Sequence, residues 1–233
     1  MEIKLKHLIE GARQAEGIAV IIDVFRAFSL ECYLLGAGIK QIIPVDSLDK
    51  AHQLKKEDSS LLLFGEREGV IQPGFDHGNS PSQIKNLDLT GKSAVHASSS
   101  GTRGLIAAMN SKADQVLTGS FVNAQATACY IKARNPEIVT LVDMGWAGRR
   151  QTLEDSICAD YILSLITGQD FSFPDFIYEI FQTDGKRFFL PENQNSMPVE
   201  DFFLCLRRDI FPFILKAEVN NSEYIYLRKI SVT

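Results

Sequence analysis

Cysteine is scarce. Cys32, Cys129, Cys158 and Cys205 are the only four in 233 residues, and none belongs to a C-x-x-C pair. Their apolar flanks read as buried helix or strand, so the expectation is reduced thiols in a cytoplasmic protein. Met1 to Lys6 shows no apolar signal core, and no apolar run is long enough to span a bilayer, so no membrane partner is expected. No basic block occurs, and 24 basic against 29 acidic residues give a formal charge of −5, which argues against a nucleic-acid partner. An apolar fraction of 45% with 23% charged residues excludes wholesale disorder and collagen-like repeats.

Familiar catalytic motifs are missing too. There is no G-x-x-x-x-G-K-[ST] phosphate loop, no G-x-G-x-x-G after a strand, no G-x-S-x-G elbow and no H-E-x-x-H. No cysteine has an arginine six positions later, and Asp23-Val24-Phe25 lacks the second aspartate of a haloacid-dehalogenase-type phosphatase. The common phosphatase, dinucleotide and hydrolase classes are therefore excluded at the level of motif.

What remains is a regular alternation. Short apolar runs rich in β-branched residues, at 18–22, 42–45, 61–64, 93–97, 115–118 and 138–142, suit strands covered on both faces. Helical patterns lie between them, at 27–35, 47–56, 81–87, 102–108, 123–134 and 152–166, with Ser47, Ser80-Pro81 and Asn123 as start signals. The pattern predicts an α/β fold, layered α/β/α around a mostly parallel or mixed sheet. After about residue 170 the rhythm breaks at Pro174, Pro191, Pro198 and Pro212, with a helix expected over 199–208 and a hairpin of 213–218 and 224–230 around Asn220-Asn221. The expected organisation is a catalytic core over 1–170 and an α+β C-terminal extension or small subdomain over 171–233. Phe171, Phe173, Phe176, Phe181, Phe188 and Phe189 need a surface to cover them, which either the core or a second copy in a homodimer would supply.

Polar residues cluster just after the predicted strands, where open α/β sheets bind ligands. They are Asp23 and Arg26; Glu66 and Arg67; Ser98 to Arg103; Ser120 and Asn123; Asp143 and Gly145, followed by Arg149, Glu154 and Asp155. The carboxylates Asp23, Glu66, Asp76, Glu154 and Asp155 are the hard oxygen donors that Mg2+ prefers. Arg26, Arg67, Arg103 and Arg149 are planar forks for phosphate, carboxylate or sulfonate, and the N–H groups from Ser99 through Ser100 and Gly101 to Thr102 offer an anion seat at a helix start. Together these are the equipment of phosphoryl transfer on a small, multiply anionic phosphorylated substrate. Each feature also has a plainer reading, as loop ion pair, turn, helix cap or, for Trp146 and Cys158, core packing.

Six segments in order then resemble one family, the 2-phosphosulfolactate phosphatases (ComB). They are Asp23-Val24-Phe25-Arg26-Ala27, Gly65-Glu66-Arg67-Glu68-Gly69, the block from Gly74 to Pro81, Ser99 to Gly104, Gly119 to Ala124, and Glu154 to Ala159. The resemblance implies a magnesium-dependent hydrolase that cleaves 2-phosphosulfolactate to sulfolactate and phosphate, a step toward coenzyme M. The hypothesis that follows is that Asp23, Glu66 and Asp76 hold or orient magnesium, with Glu154 and Asp155 as further ligands or support. Arg26 and Arg103 would grip phosphate, and Arg67 and Arg149 the sulfonate and carboxylate, with Asn79, Ser120 and Asn123 completing the substrate site. Phe28-Ser29-Leu30, Ser100, Asp143 and Asp160 depart from the family pattern and leave the substrate open. Another small phosphorylated acid as substrate, or a non-catalytic anion binder on the same scaffold, are the alternatives; the carboxylate cluster argues against the latter.

Overall fold

Strands that are apolar on both faces have to be covered on both, and this requirement shapes the architecture. The computed structural model describes residues 1–219 and 224–232; the Asn220-Asn221 turn lies outside them. In chain order the elements are β1 (Glu2–His7), α1 (Leu8–Arg13), β2 (Glu16–Ile22), α2 (Ala27–Gly36), β3 (Gln41–Val45), α3 (Leu48–Glu57), β4 (Leu62–Arg67), β5 (Val70–Ile71) and β6 (Ser93–Ala97). They continue as α4 (Gly101–Met109), β7 (Lys112–Gly119), α5 (Ala124–Arg134), β8 (Ile138–Asp143), α6 (Leu153–Thr167), α7 (Pro174–Gln182), α8 (Val199–Cys205), β9 (Phe213–Val219) and β10 (Ile225–Ser231).

The expected layered α/β fold is borne out. One mixed 10-stranded sheet runs β1-β8-β2-β7-β9-β10-β3-β6-β4-β5. Alternate residues of β2 show the layering. Ala19 and Ile21 face a core shared with α1, α2 and α4, whereas Ile18, Val20 and Ile22 face one shared with α5 and α6. A third cluster, with Leu54 of α3 against Val45, Leu63 and Val95, covers that second face at the other end of the sheet. The 81–87 pattern yields only a 3-10 turn over Ser82–Ile84, in which Ile84 is buried while Gln83, Lys85 and Asn86 are exposed, so the segment has one apolar anchor rather than a helical apolar face. Sequence periodicity missed β1, whose alternating lysines place it at a sheet edge, parallel to β8.

The C-terminal hairpin occupies the middle of the sheet. β9 pairs antiparallel with β7 through Val116–Ala217 and Thr118–Leu215, and β10 pairs with β3 at Leu227–Ile42. It therefore joins two parallel halves, β1-β8-β2-β7 and β3-β6-β4, that share no strand pairing of their own. A chain ending at residue 212 is expected to lose its cooperative thermal transition, read by circular dichroism; a melt within a few degrees of the full chain would refute the bridging role. The Phe-rich stretch packs on the same protein: Phe173 and Phe188 are buried, and Phe171, Phe176 and Phe181 lie against the core of α5 and α6.

The pairing also sets the two halves antiparallel to each other, yet their carboxyl ends meet. From β2 to β6 is five steps, and a twist of roughly 20–25° per step turns the strand direction by about 100–125°. Two nominally opposed strands thus come to point into a common crevice.

Candidate active site

The crevice is built from loops that follow β2, β4, β6 and β8. Asp23 follows β2 and turns the chain into α2. Its Oδ1 accepts the Ala27 N–H at 3.1 Å and its Oδ2 the Gly101 N–H at 2.8 Å. Only glycine fits at 101, since a Cβ there would stand 2.8 Å from Asp23 Oδ2. Glu66 ends β4. Its Oε1 accepts the Ser99 N–H at 2.7 Å, and its Oε2 the Ser99 hydroxyl at 3.1 Å and the Gly69 N–H. The start of α4, read from sequence as a seat for phosphate, thus already holds two of the protein's own carboxylates. The backbone donors at Asp23 favour its ionised form.

The opposite wall is cationic. Arg26, 4% exposed, donates through Nη1 to the Ser196 carbonyl and to Asp201 Oδ2, both at 2.7 Å. Asp201 accepts the Ser80 hydroxyl at 3.0 Å and the Ser82 N–H at 2.8 Å on its other oxygen, so one buried carboxylate ties the Gly74–Pro81 block to Arg26. Beside it lies Arg187, which the sequence reading missed. Its guanidinium sits 4.4 Å from the Trp146 ring centroid and within 6.0 Å of the Phe25 and Phe188 centroids, and its Nε is buried with no hydrogen-bond partner among the described residues. The signal available in the sequence was a charge placed directly before Phe188-Phe189, in a run otherwise read as packing.

The resulting cavity has an empty volume of about 410 Å³. It brings together Asp23, Arg26, Glu66, Asn79, Ser99 and Ser100 of the expected residues, and adds Phe25, Trp146, Arg187 and Met197. Other expected residues are placed elsewhere. Arg103 and Arg149 are exposed and, with half-buried Arg67, stand outside the lining. Thr102 and Ser98 bond each other. Ser120 and Asn123 cap each other at the start of α5, with Ser120 also 2.6 Å from Ser29. Asp76 binds the Leu63 N–H and Lys55, outside the pocket. Asp155 accepts the Val24 and Gly145 N–H groups at 2.7 and 2.8 Å, which fixes the two loops carrying Phe25 and Trp146.

Burial pushes Asp23 up to about 6, and the nearby Glu66 charge adds to this against the backbone bonds from Ala27 and Gly101. Glu154 is pushed up to about 7 by burial, with Arg187 opposing. A carboxyl raised in the folded state adds stability below its unfolded pKa, about 4.5 here, and loses it as pH rises through the folded value. Stability measured by urea in EDTA is thus expected to fall between pH 4.5 and 7.5, with Glu154 contributing on the order of 3 kcal/mol to the fall. Glu154→Gln should flatten that slope; an unchanged slope would remove Glu154 as its source.

Among the described residues no group of three or more His, Cys, Asp or Glu is arranged to hold a metal ion. The five-carboxylate set is therefore not assembled as one cage. Of those five only Asp23 and Glu66 line the pocket, with exposed Glu68 beside them, and both Asp23 oxygens and Glu66 Oε1, each bonded to one N–H, keep a further lone pair. One or two carboxylates, completed by water and substrate phosphate, is the usual protein share of a magnesium shell. A cation would offset both the burial that raises Asp23 and the smaller contribution of the Glu66 charge, so this pair fits magnesium and the remaining three carboxylates do not.

Comparison with known proteins decides the lineage. The family model described as 2-phosphosulpholactate phosphatase matches residues 3–218. The chain belongs to that family. Curated members named probable 2-phosphosulfolactate phosphatase include that of Caldicellulosiruptor saccharolyticus, 39% identical over 164 residues, covering 69% of this chain and 65% of that protein. The Carboxydothermus hydrogenoformans protein is 39% identical over 170 residues, covering 72% and 69%, and the Bacillus subtilis protein 29% over 204, covering 86% and 87%. The match to the first of these thus spans a little under two-thirds of that relative's length.

Within the 2-phosphosulpholactate phosphatase family, the departures noted in the sequence separate by position. Phe28 and Leu30 are fully buried in the core and do not narrow the pocket. Asp143 binds His7 and Ser156 away from it, at 2.8 and 2.7 Å. Only Ser100 lines the cavity, with its hydroxyl donated to the Met144 and Gly145 carbonyls.

Proposed function

We propose that this protein is a magnesium-dependent phosphoric monoester hydrolase acting on 2-phosphosulfolactate, releasing sulfolactate and inorganic phosphate in the cytoplasm, a reaction that leads toward coenzyme M. One observation carries the reading: a single cavity brings together two buried carboxylates, Asp23 and Glu66, with exposed Glu68 also in its lining, and two guanidinium groups, Arg26 and Arg187. An anion sensor has no use for the first pair, and a simple cation site none for the second.

Asp23 and Glu66 would hold the ion, which when bound supplies charge neutralisation at the transferred phosphoryl group. Arg26, its position fixed by Asp201 and the Ser196 carbonyl, and Arg187, held on the Trp146 face, would orient the phosphate and the neighbouring acidic groups. The Ser100 hydroxyl proton is committed to two backbone carbonyls, which are not bases, and the Ser99 hydroxyl to Glu66; the scheme takes water as the nucleophile, and single turnover in isotope-labelled water separates this from attack by Ser99 or Asp23. The water oxygen bonds to phosphorus as the ester P–O bond breaks; one of the water's protons ends on the alcohol of sulfolactate and the other stays on the released phosphate. The aromatic wall of Phe25 and Trp146 limits water around the ester.

Phosphate release from synthetic 2-phosphosulfolactate, with magnesium and with excess EDTA, tests this. Turnover only with the metal is expected; no release under either condition overturns the reading. Ser100, the one departure on the cavity wall, favours a second reading in which another phosphorylated small acid is the better substrate. A phosphomonoester panel separates the two by kcat/KM.

A further inference from the structure

Behind the pocket wall lies a buried chain of polar side chains with no part in the scheme above. His96 Nδ1 is 2.8 Å from Glu31 Oε1, and His96 Nε2 is 2.7 Å from Asn79 Oδ1. Glu31 and His96 are both 0% exposed, and Asn79, 3% exposed, lines the cavity. The block containing Asn79 is fixed at its far end by the bonds from Ser80 and Ser82 to Asp201, so the chain acts on a residue whose backbone is already set.

We propose that Glu31 and His96 are positioning residues that fix the Asn79 amide with its NH2 group toward the pocket, as a hydrogen-bond donor to the substrate's anionic oxygens. The proposal rests on reading the cavity as a phosphomonoester site. Its basis is a proton count. A net charge on a pair shut away from water is strongly disfavoured, so Glu31 and His96 together are neutral. Two arrangements satisfy this with the shared proton on the Oε1–Nδ1 contact, a carboxylate with an imidazolium or a carboxylic acid with a neutral imidazole; a proton on Oε2 instead would bury a hydroxyl with no acceptor among the described residues. In both, Nε2 carries hydrogen and has to donate. Asn79 can only accept through Oδ1, which leaves its NH2 on the pocket side. With one proton fewer, Glu31 would take the Nδ1 hydrogen, Nε2 would become an acceptor, and the amide would turn its oxygen, a poor neighbour for an anion, into the cavity. Glu31 Oε2 has no partner among the described residues, a state less costly for a neutral acid than for a carboxylate. Burial also pushes the Glu31 carboxyl above its ordinary value, in the same direction.

A double-mutant cycle tests whether His96 works through Asn79. Asn79→Ala and His96→Phe are each expected to lower kcat/KM for 2-phosphosulfolactate by about 10- to 100-fold, the loss of one hydrogen bond to a charged group. Combined, they should fall within threefold of the worse single variant. Multiplying effects would overturn the proposal, as would a His96→Phe protein with unaltered kcat/KM. Glu31→Met is expected to behave like His96→Phe in the same cycle. Nitrogen-15 spectra of the wild-type imidazole provide a readout that does not depend on any variant folding: a one-bond coupling on Nε2 is expected, and a bare Nε2 refutes the scheme. If the wild type hydrolyses nothing, the proposed function has failed rather than the relay, and the same cycle is then read on the Kd for inorganic phosphate by calorimetry.

Discussion

Arg187→Met is expected to lower kcat/KM for 2-phosphosulfolactate by about 30- to 1,000-fold, because removing one buried charged partner costs about 2–4 kcal/mol in binding. Arg26 has two strong acceptors of its own, whereas Arg187 has a Trp146 face, a long contact of 3.4 Å to the Phe25 carbonyl, and a buried Nε with no partner among the described residues. Burial pushes its pKa down, with Glu154 and Asp184 pulling the other way, but an arginine stays charged in this setting. A charged fork with unused donors, in a cavity that also holds carboxylates, is satisfied only by an anionic ligand. The fold should survive the change, since Glu154 loses the neighbour that opposes its upward shift and takes a proton more readily. Arg187→Lys keeps the charge without the fork and should fall between the two proteins. Steady-state phosphate release measures all three; a methionine variant within twofold of wild type would exclude Arg187 from the substrate site.

The second large effect is on stability. Asp201→Ala is expected to cost about 3–5 kcal/mol, the usual consequence of leaving one member of a buried ion pair uncompensated. For a chain of this size that lowers Tm by about 6–20 °C. Asp201 is 0% exposed and receives Arg26 on one oxygen and Ser80 with the Ser82 N–H on the other, so its loss frees the turn after β2, the Asn79 loop and α8 together. The double variant Arg26→Met/Asp201→Leu should recover part of the melting temperature, because it removes the uncompensated charge but leaves the Ser82 N–H and the Ser196 carbonyl without these partners. It should recover no activity, because the guanidinium in the pocket is gone. Calorimetry on the three proteins checks the pattern; a drop below 2 °C for Asp201→Ala would show that the pair is not structurally important.

Some of the candidate site was legible in sequence because the chain keeps its chemistry next to its strands. Asp23 and Glu66 each come at the end of a short apolar run, and Ser99 to Thr102 open a helix, so strand-end position alone marked them. The same rule also marked Ser120, Asn123 and Asp155, which serve the backbone instead: a capping box and two loop N–H groups satisfy them fully. Position after a strand does not distinguish a side chain aimed at solvent-filled space from one aimed at its own main chain. Arg187 and Asp201 were invisible for a different reason. They come from the Phe-rich segment, where the packing of Phe25, Phe188 and Phe202 against one another carries charged residues into the crevice.

By itself the sequence determined the alternation of strands and helices, the two-faced burial of the inner strands and the identity of several strand-end side chains, because these depend on spacing along the chain. The tertiary structure alone decided that the C-terminal hairpin lies between two opposed parallel halves, that the sheet's twist folds their carboxyl ends into one cavity, and that a helix start offering N–H groups to an anion is filled by Asp23 and Glu66. These outcomes depend on contacts between residues as far apart as Arg26 and Asp201, which no local pattern encodes.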